Sequence, residues 1–342
     1  MTNLIEKERT YPIRLRKYEA LMNRIIPNHP KLPLIEQDYK TWRAGYKGEL
    51  QTDYRLSFLP EKGFHLFRDL RLADGEWYFQ IDTLILTLRY ILLIETKNHK
   101  GTLFFDKDSE QMIQTKDEKE KSYDHPLIQV KMQAWHLKRW LKQYTFDVPP
   151  IYHLVVVSNS STIIKTNDRS LNKVIVKGDV LLNRVLQIDE VTQSVIFTDK
   201  EVRKLLKLLI KKHTPHHPDV LKPYSLTYDD LRKGVQCPSC STFGMKRERW
   251  FWLCPVCGQK SKTAHHKALI EFFLLISPSI NNQSCREFCT GITYKTASDL
   301  FSSMHLPFTG SKKGRLYHMP KDIESLFEPA KNIKKSNPSQ SR

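Results

Sequence analysis

Three acidic residues and a lysine in the first hundred positions have the types and order of a phosphodiester-hydrolysing site. Gly45-Tyr46-Lys47-Gly48-Glu49 is followed by Gln80-Ile81-Asp82 and then by Ile94-Glu95-Thr96-Lys97. In an extended segment Glu95 and Lys97, two apart, emerge on one face. Asp82 lies on the preceding apolar run and can come close to both if the two runs pair. Carboxylates converging from adjacent strands make a hard-oxygen site suited to Mg²⁺ or Mn²⁺. A lysine beside them can orient or help deprotonate a water and stabilise charge developing on phosphorus. A lone Glu-x-Lys at a strand end is ordinarily a solvated ion pair, and Gly-x-x-Gly-Glu is a common helix opening. The weight therefore rests on the set, in order, on compatible elements.

A second constellation is sulfur-based. All six cysteines of the chain lie between Cys237 and Cys289, unlike a disulfide-stapled secreted protein. Cys237-Pro238-Ser239-Cys240 and Cys254-Pro255-Val256-Cys257 give two Cys-x2-Cys pairs separated by 13 residues. That spacing lets four thiolates close a tetrahedral structural Zn²⁺ site with no open position. The intervening hairpin carries Lys246, Arg247, Arg249, Trp250, Phe251 and Trp252. Such a mixture suits a nucleic-acid backbone or single strand, and equally suits aromatics packing a small core. Cys285 and Cys289, four apart, point to a helix face turned to its own core.

The elements that must hold these residues follow from patterning. A basic, partly helical arm over 4–26 is stopped by Pro27 to Pro30 and Pro33. Helical spacing recurs over 39–59. The runs 77–88 and 90–96 read as an antiparallel strand pair, and 101–105 with 111–114 as a second hairpin extending that sheet. Pro126 opens a helix to about 143. Strands are expected at 151–157 and 173–176, and helices at 179–186 and 199–212. Asp69 reads as a turn residue ahead of the strands, and His65, His99 and His125 as ordinary loop or surface histidines. Alternating strands and helices give an α/β domain ending near 213.

The series Gly-Tyr-Lys-Gly-Glu, Gln-Ile-Asp and Ile-Glu-Thr-Lys-Asn, followed by Gly101, resembles the nuclease-related domain (NERD) family of the PD-(D/E)xK nuclease superfamily. The likeness runs through Asn28-His29-Pro30 and on to Gln129, over roughly residues 10–200. It implies a restriction-endonuclease-like fold, a central mixed sheet flanked by helices. It also implies Asp82 and Glu95 as metal ligands, joined by the Thr96 carbonyl, with Lys97 as the catalytic lysine. Glu49 would support that metal or a second one, and Gln129 would contact substrate or position its helix. Ile81 stands where the superfamily motif has proline, a departure that bears little on the chemistry.

Beyond the cysteines, Ser284-Cys285-Arg286-Glu287 has the form of a capping box, and Thr293 opens a further helix after Gly291. Helices linked by a short turn look like a helix-turn-helix, with Lys295 on the recognition helix. Residues 307–317 resemble a wing tipped by Lys312, Lys313 and Arg315, suited to phosphates; the alternative is a small bundle for protein contacts. The charge agrees. Lys+Arg 55 against Asp+Glu 37 gives +18, of which residues 201–342 hold 24 − 11 = +13. The first residues lack a signal-peptide core, and no apolar run nears the roughly 18 residues that span a bilayer.

The resulting expectation is a cytoplasmic, Mg²⁺-dependent nuclease acting on DNA, with RNA left open, no membrane association, and a homodimer or a helicase- or polymerase-type partner as candidate company. Its parts would be a nuclease-like domain over 1–213, a linker over 214–234, a zinc ribbon over 235–262, a helix-turn-helix or winged-helix module over 263–330 and a disordered basic tail over 331–342. The rival reading is a catalytically silent DNA-binding or protein-interaction adaptor on a nuclease scaffold.

Overall fold

The computed structural model describes residues 5–320; the basic tail expected over 331–342 and the end of the expected helical module lie outside the described residues. In chain order the first half comprises β1 (Ile5–Lys7), α1 (Ile13–Arg24), α2 (Leu32–Leu56), β2 (His65–Asp74), β3 (Trp77–Leu86) and β4 (Ile91–Lys97). There follow β5 (Thr102–Asp106), β6 (Gln111–Lys116), β7 (Lys119–Asp124), α3 (Pro126–Gln143), β8 (Ile151–Val157), β9 (Ile163–Thr166), β10 (Ile175–Lys177), α4 (Leu181–Val191) and α5 (Asp199–Lys212). The remainder holds β11 (Lys246–Arg247), β12 (Trp252–Leu253), β13 (Lys260–Ser261), α6 (Ala264–Leu275), β14 (Ser279–Ile280), α7 (Asn282–Cys289), α8 (Tyr294–Ser303), β15 (Phe308–Thr309) and β16 (Leu316–His318). Contacts divide the described residues into two compact units, one of residues 5–12 and 40–217, the other of 13–39 and 218–320.

The first unit is built on a six-stranded mixed sheet in the order β1-β2-β3-β4-β8-β10. β2, β3 and β4 are antiparallel neighbours, whereas β8 pairs parallel with both β4 and β10. Because β4 and β8 are covered on both faces, they read as continuous apolar runs rather than alternating ones. Alternate residues feed two cores. Ile91, Leu93, Val155 and Val157 pack with Leu137 and Trp140 of α3 and Leu205 of α5. Leu92, Ile94, Leu154 and Val156 pack with Leu56 of α2 and Leu181 and Val185 of α4. This is the central mixed sheet flanked by helices that the sequence implied.

Three features of this unit differ from the patterning. The second hairpin, β5–β6, does not extend the main sheet; it belongs to a separate four-stranded sheet ordered β7-β6-β5-β9. β1 is short and held by parallel pairing to β2, a long-range contact that local patterning does not carry. β2 itself escapes an alternation search because Asp69, at its centre, has φ +53°. A left-handed residue in mid-strand breaks the two-residue period: Phe67 and Leu70, and across from them Leu84 and Ile81, three apart in each strand, enter the same core. Asp69 is thus a strand residue facing Asp82 in register, between the pairs Arg68–Thr83 and Leu70–Ile81, not a turn before the strands.

The second unit takes in residues 13–39, which patterning joins to the nuclease-like domain. The reason is burial. Tyr18, Leu21, Ile25 and Ile35 share a core with Leu226, Leu231, Ile270 and Leu274. The segment expected as a linker over 214–234 likewise contributes Val220, Tyr224, Leu226 and Leu231 to that core, with two short 3₁₀ turns at Lys222–Tyr224 and Tyr228–Asp230. Pro33, expected to stop a helix, instead lies in the first turn of α2. The cap of α7 is Asn281, whose side chain accepts from the Ser284 N–H, in place of Ser284 itself. Where a helix-turn-helix and wing were expected, the chain forms the helices α6, α7 and α8 and a three-stranded sheet ordered β14-β16-β15. Cys285 and Cys289 are fully buried in its core, as expected.

The centre of this unit is a buried ion pair. Arg24 Nε donates to Glu271 at 2.5 Å, and its Nη1 donates to the carbonyls of Arg232 and Gly234. Removing one partner of such a pair leaves an uncompensated buried charge. Arg24→Met is therefore expected to cost about 3–5 kcal/mol, measured by denaturant unfolding, whereas an apolar replacement of both Arg24 and Glu271 should recover most of the loss.

Candidate active site and metal centre

The acidic set is assembled by the β3–β4 pairing. Thr83 faces Ile94, so Asp82 falls beside Glu95, and the Thr96 N–H donates to Asp82 Oδ2 at 2.9 Å. Glu95 is only 3% exposed. Its Oε1 accepts from Lys97 Nζ at 2.7 Å and its Oε2 from Gln133 Nε2 at 3.0 Å. Lys97 Nζ donates a second bond, 3.0 Å long, to Gln129 Oε1. The sequence expectation therefore has Asp82, Glu95, Lys97 and Gln129 in one place. Gln133, one helical turn after Gln129, was missed because a glutamine on a helix carries no signal of its own.

Glu49 arrives from α2 and is held from the other side. Arg9, just after β1, donates to Glu49 Oε2 at 2.6 Å and to Asp53 Oδ2 at 2.7 Å. Its Nη2 also reaches the Asp82 carbonyl at 2.7 Å. Neither Arg9 nor the buried Asp53 was expected from sequence, since Arg9 lies about forty residues from its partners and no motif frames it. Arg68 completes the arrangement with a 3.3 Å contact to Asp53 and a 2.6 Å bond to Glu8.

Two glycines of the motif have steric work. A Cβ on Gly48 would lie 2.5 Å from Asn98 Cβ and 2.7 Å from Ser158 Oγ, so glycine lets α2 close onto the ends of β4 and β8. Gly101 has φ +87°, and a Cβ there would meet the Thr115 carbonyl at 2.3 Å. Glycine is needed there for the chain to leave β4 and enter the second sheet.

Crowded acids perturb one another. Burial, followed by the charges of Glu95 and Glu49, pushes the Asp82 carboxyl well above the usual range, against the opposing pull of the Thr96 N–H and Arg9. Burial likewise raises Glu49; the Arg9 guanidinium opposes this, and Asp69, Asp53 and Glu95 add to it. A hard divalent cation fits the chemistry of this donor set, because it takes carboxylate oxygens and would offset the repulsion among neighbouring acids.

The four cysteines are gathered more tightly. The Sγ atoms of Cys237, Cys240, Cys254 and Cys257 all lie within 4.8 Å of one another, the one such metal-competent cluster among the described residues. Cys237 approaches Cys257 at 3.6 Å and Cys240 approaches Cys254 at 3.5 Å. None is in a disulfide. Four thiols at that spacing are compatible with a zinc ribbon. The hairpin aromatics divide. Trp252 is fully buried, its Nε1 donating to His265 Nδ1 at 3.2 Å, while Trp250 is exposed. Arg247 turns over the Trp252 ring and Arg249 over Trp250, with Lys246 exposed. Further along, Lys295 on α8 and Lys312 are exposed and Arg315 lies over Phe308 at 4.3 Å; the Lys313 side chain is outside the described residues.

Comparison with protein families matches residues 44–158 to the nuclease-related domain family. The match spans Ala44 to Ser158 and so includes Glu49, Asp82, Glu95, Lys97 and Gln129, but is narrower than the 10–200 expected. No curated protein and no solved structure matches the chain. Among the described residues no helix is long and apolar enough to cross a membrane.

The raised Asp82 carboxyl sets a stability test. Asp82→Asn keeps an acceptor for the Thr96 N–H and removes the charge, so without divalent cation it should stabilise the fold by about 0.5–2 kcal/mol. A carboxyl whose folded pKa lies above its unfolded value costs stability as pH rises toward that folded value. The gain from Asn should therefore be present at neutral pH and fade in acid, where the wild-type carboxyl is already protonated. Urea unfolding at neutral and acid pH measures it.

Proposed function

We propose that this chain, which carries a nuclease-related domain over residues 44–158, is a metal-dependent nuclease that hydrolyses DNA phosphodiester bonds. The observation that supports this most directly is the Asp82–Glu95–Lys97 set on two paired strands, with the Asp82 carboxyl raised by burial and by its acidic neighbours. Asp82, Glu95 and the Thr96 carbonyl would hold Mg²⁺ or Mn²⁺, with Glu49 in support. When bound, the cation would supply charge neutralisation and Lewis acidity at phosphorus.

The protein's own groups have definable tasks. Lys97 has three N–H donors and spends two, on Glu95 and Gln129. The third is left to meet a phosphate oxygen or the attacking water, where a fixed positive charge favours the transition state over the ground state. Gln133 and Lys97 between them fix both oxygens of Glu95, so the carboxylate is oriented before substrate arrives. Arg9 does the same for Glu49 and holds the backbone at Asp82.

In this reading the basic C-terminal parts grip the substrate. Lys295 lies on the second helix of the helix-turn-helix, Lys312, Lys313 and Arg315 belong to the wing, and Lys246, Arg247 and Arg249 to the ribbon hairpin, with Zn²⁺ bound by Cys237, Cys240, Cys254 and Cys257. Grip by phosphate contacts weakens steeply with salt because each contact releases counterions. Six free thiols suit a reducing cytoplasm.

The test is Mg²⁺- or Mn²⁺-dependent cleavage of plasmid and single-stranded DNA. Lys97→Met and Glu95→Gln should each lower the rate at least about a hundredfold with DNA affinity retained. A wild-type protein that binds DNA yet cleaves neither substrate would move the chain to the scaffold reading. Elemental analysis should find one zinc per chain, lost in Cys237→Ser/Cys257→Ser together with ribbon stability.

A further inference from the structure

Helix α3 carries two adjacent stripes. Gln129, Gln133 and His136 bond Lys97, Glu95 and Asp74 respectively. Beside them Ile128, Met132, Trp135 and Arg139, spaced by four, three and four residues, stay exposed. A helix that lies against a reactive site and leaves isoleucine, methionine and tryptophan in water has a surface that another molecule can cover.

Two observations say what kind of molecule. α3 carries Lys131, Lys138, Arg139 and Lys142 and no acidic residue, so its outer face is complementary to a polyanion. Trp135, 47% exposed, is also pre-positioned. The Arg139 guanidinium lies over its ring at 4.7 Å and His136 meets it edge-on at 4.9 Å. Both neighbours are tied to the buried carboxylate of Asp74, His136 at 2.7 Å and Arg139 at 3.5 Å, and His136 stacks on Phe79. A second large aromatic, Trp77, is 76% exposed directly across the β2–β3 register from Asp74.

Duplex DNA shows a protein its phosphates and groove edges, not the flat faces of its bases, so exposed ring faces beside cations fit unpaired bases. We infer that the outer face of α3 is a track for a single nucleic-acid strand, with a base stacked on Trp135 and phosphates met by Arg139 and the helix lysines. Trp135 lies six residues beyond Gln129, about 9 Å along the helix axis, so a strand on this track runs toward Lys97. The inference rests on the nuclease reading for why the strand is there, but the binding can be tested without it.

The experiment uses the full chain with Lys97→Met, so that the probe survives, and a dT20 oligonucleotide carrying 5-iodouracil. Irradiation should attach the probe to the tryptic peptide containing Trp135. In the same background Trp135→Ala should remove that adduct and weaken dT20 binding about tenfold. Affinity for a duplex of equal length should change less than about twofold, and Trp135→Phe should retain most of the dT20 affinity. A Trp135→Ala protein that melts like its parent and binds dT20 equally well overturns the inference and leaves the stripe to a protein contact. Equal losses for dT20 and duplex overturn it too, as would adducts confined to other segments. Cleavage by the chain with Lys97 intact separates the two proposals: an adduct without cleavage sinks the nuclease reading alone, and cleavage without an adduct sinks the track alone.

Discussion

Several carboxylates gathered at the two central strands of one sheet, in a place largely withdrawn from water, are the constraint around which the first unit is arranged. Burial, with the charges of Glu95 and Glu49, raises the cost of ionising Asp82, and burial, with Asp69, Asp53 and Glu95, that of ionising Glu49. The fold tolerates them by giving each its own donors. Glu95 has Lys97 and Gln133, Asp82 has the Thr96 N–H, and Glu49 has Arg9, which also serves Asp53. Much of the architecture can be read from that requirement. β3 and β4 must pair in the observed register, α2 must come close enough to need Gly48, and α3 must lie with its glutamines toward β4.

The same requirement gives the N-terminal arm a task. A three-residue strand is a weak element by itself, and β1 survives as an added parallel edge on β2, with Lys7 Nζ bonded to the Arg68 carbonyl. Its value lies in where it sends the chain. By fixing the backbone at Ile5–Lys7 it delivers Arg9 to a cluster of acids forty and more residues away. The left-handed Asp69 has a comparable role. Backbone strain in mid-strand is a cost usually retained where a site uses it, and here it changes the facing of β2 and β3 beside Asp82. Gln80 bonds the Asp69 carboxylate at 2.7 Å and helps hold it in place.

How much of this was legible in the sequence depends on the range of each interaction. α3, β8 and α5 lie where patterning put them, because each has a local device: Pro126 in a first turn, an unbroken apolar run, and a Thr198–Glu201 capping box. The Asp82–Glu95–Lys97 set was legible because two strands consecutive in the chain carry it, and the cysteine cluster because its ligands come as close pairs. Arg9, Asp53 and Gln133 were not, since each acts through a partner distant in sequence. Residues 13–39 misled for the same reason. Nothing local tells an amphipathic helix which of two cores will bury it, and Arg24 meets Glu271 across some 250 positions.

Charge, too, carries different information at different scales. Counted by halves, the basic excess falls on residues 201–342 and leaves the first 200 at 31 − 26 = +5. That near balance hides α3, four cations with no acid, lying beside a cluster of buried carboxylates. The two are physically linked. A cluster of acids repels any anion near it, and that repulsion is offset by cations close to the cluster, not by charge summed over the chain. At physiological ionic strength fields fade over roughly 8 Å, so what counts at the acidic set is the charge immediately around it. Lys97, bonded to Glu95, and Lys131, between Gln129 and Gln133 on α3, are cations placed at that range.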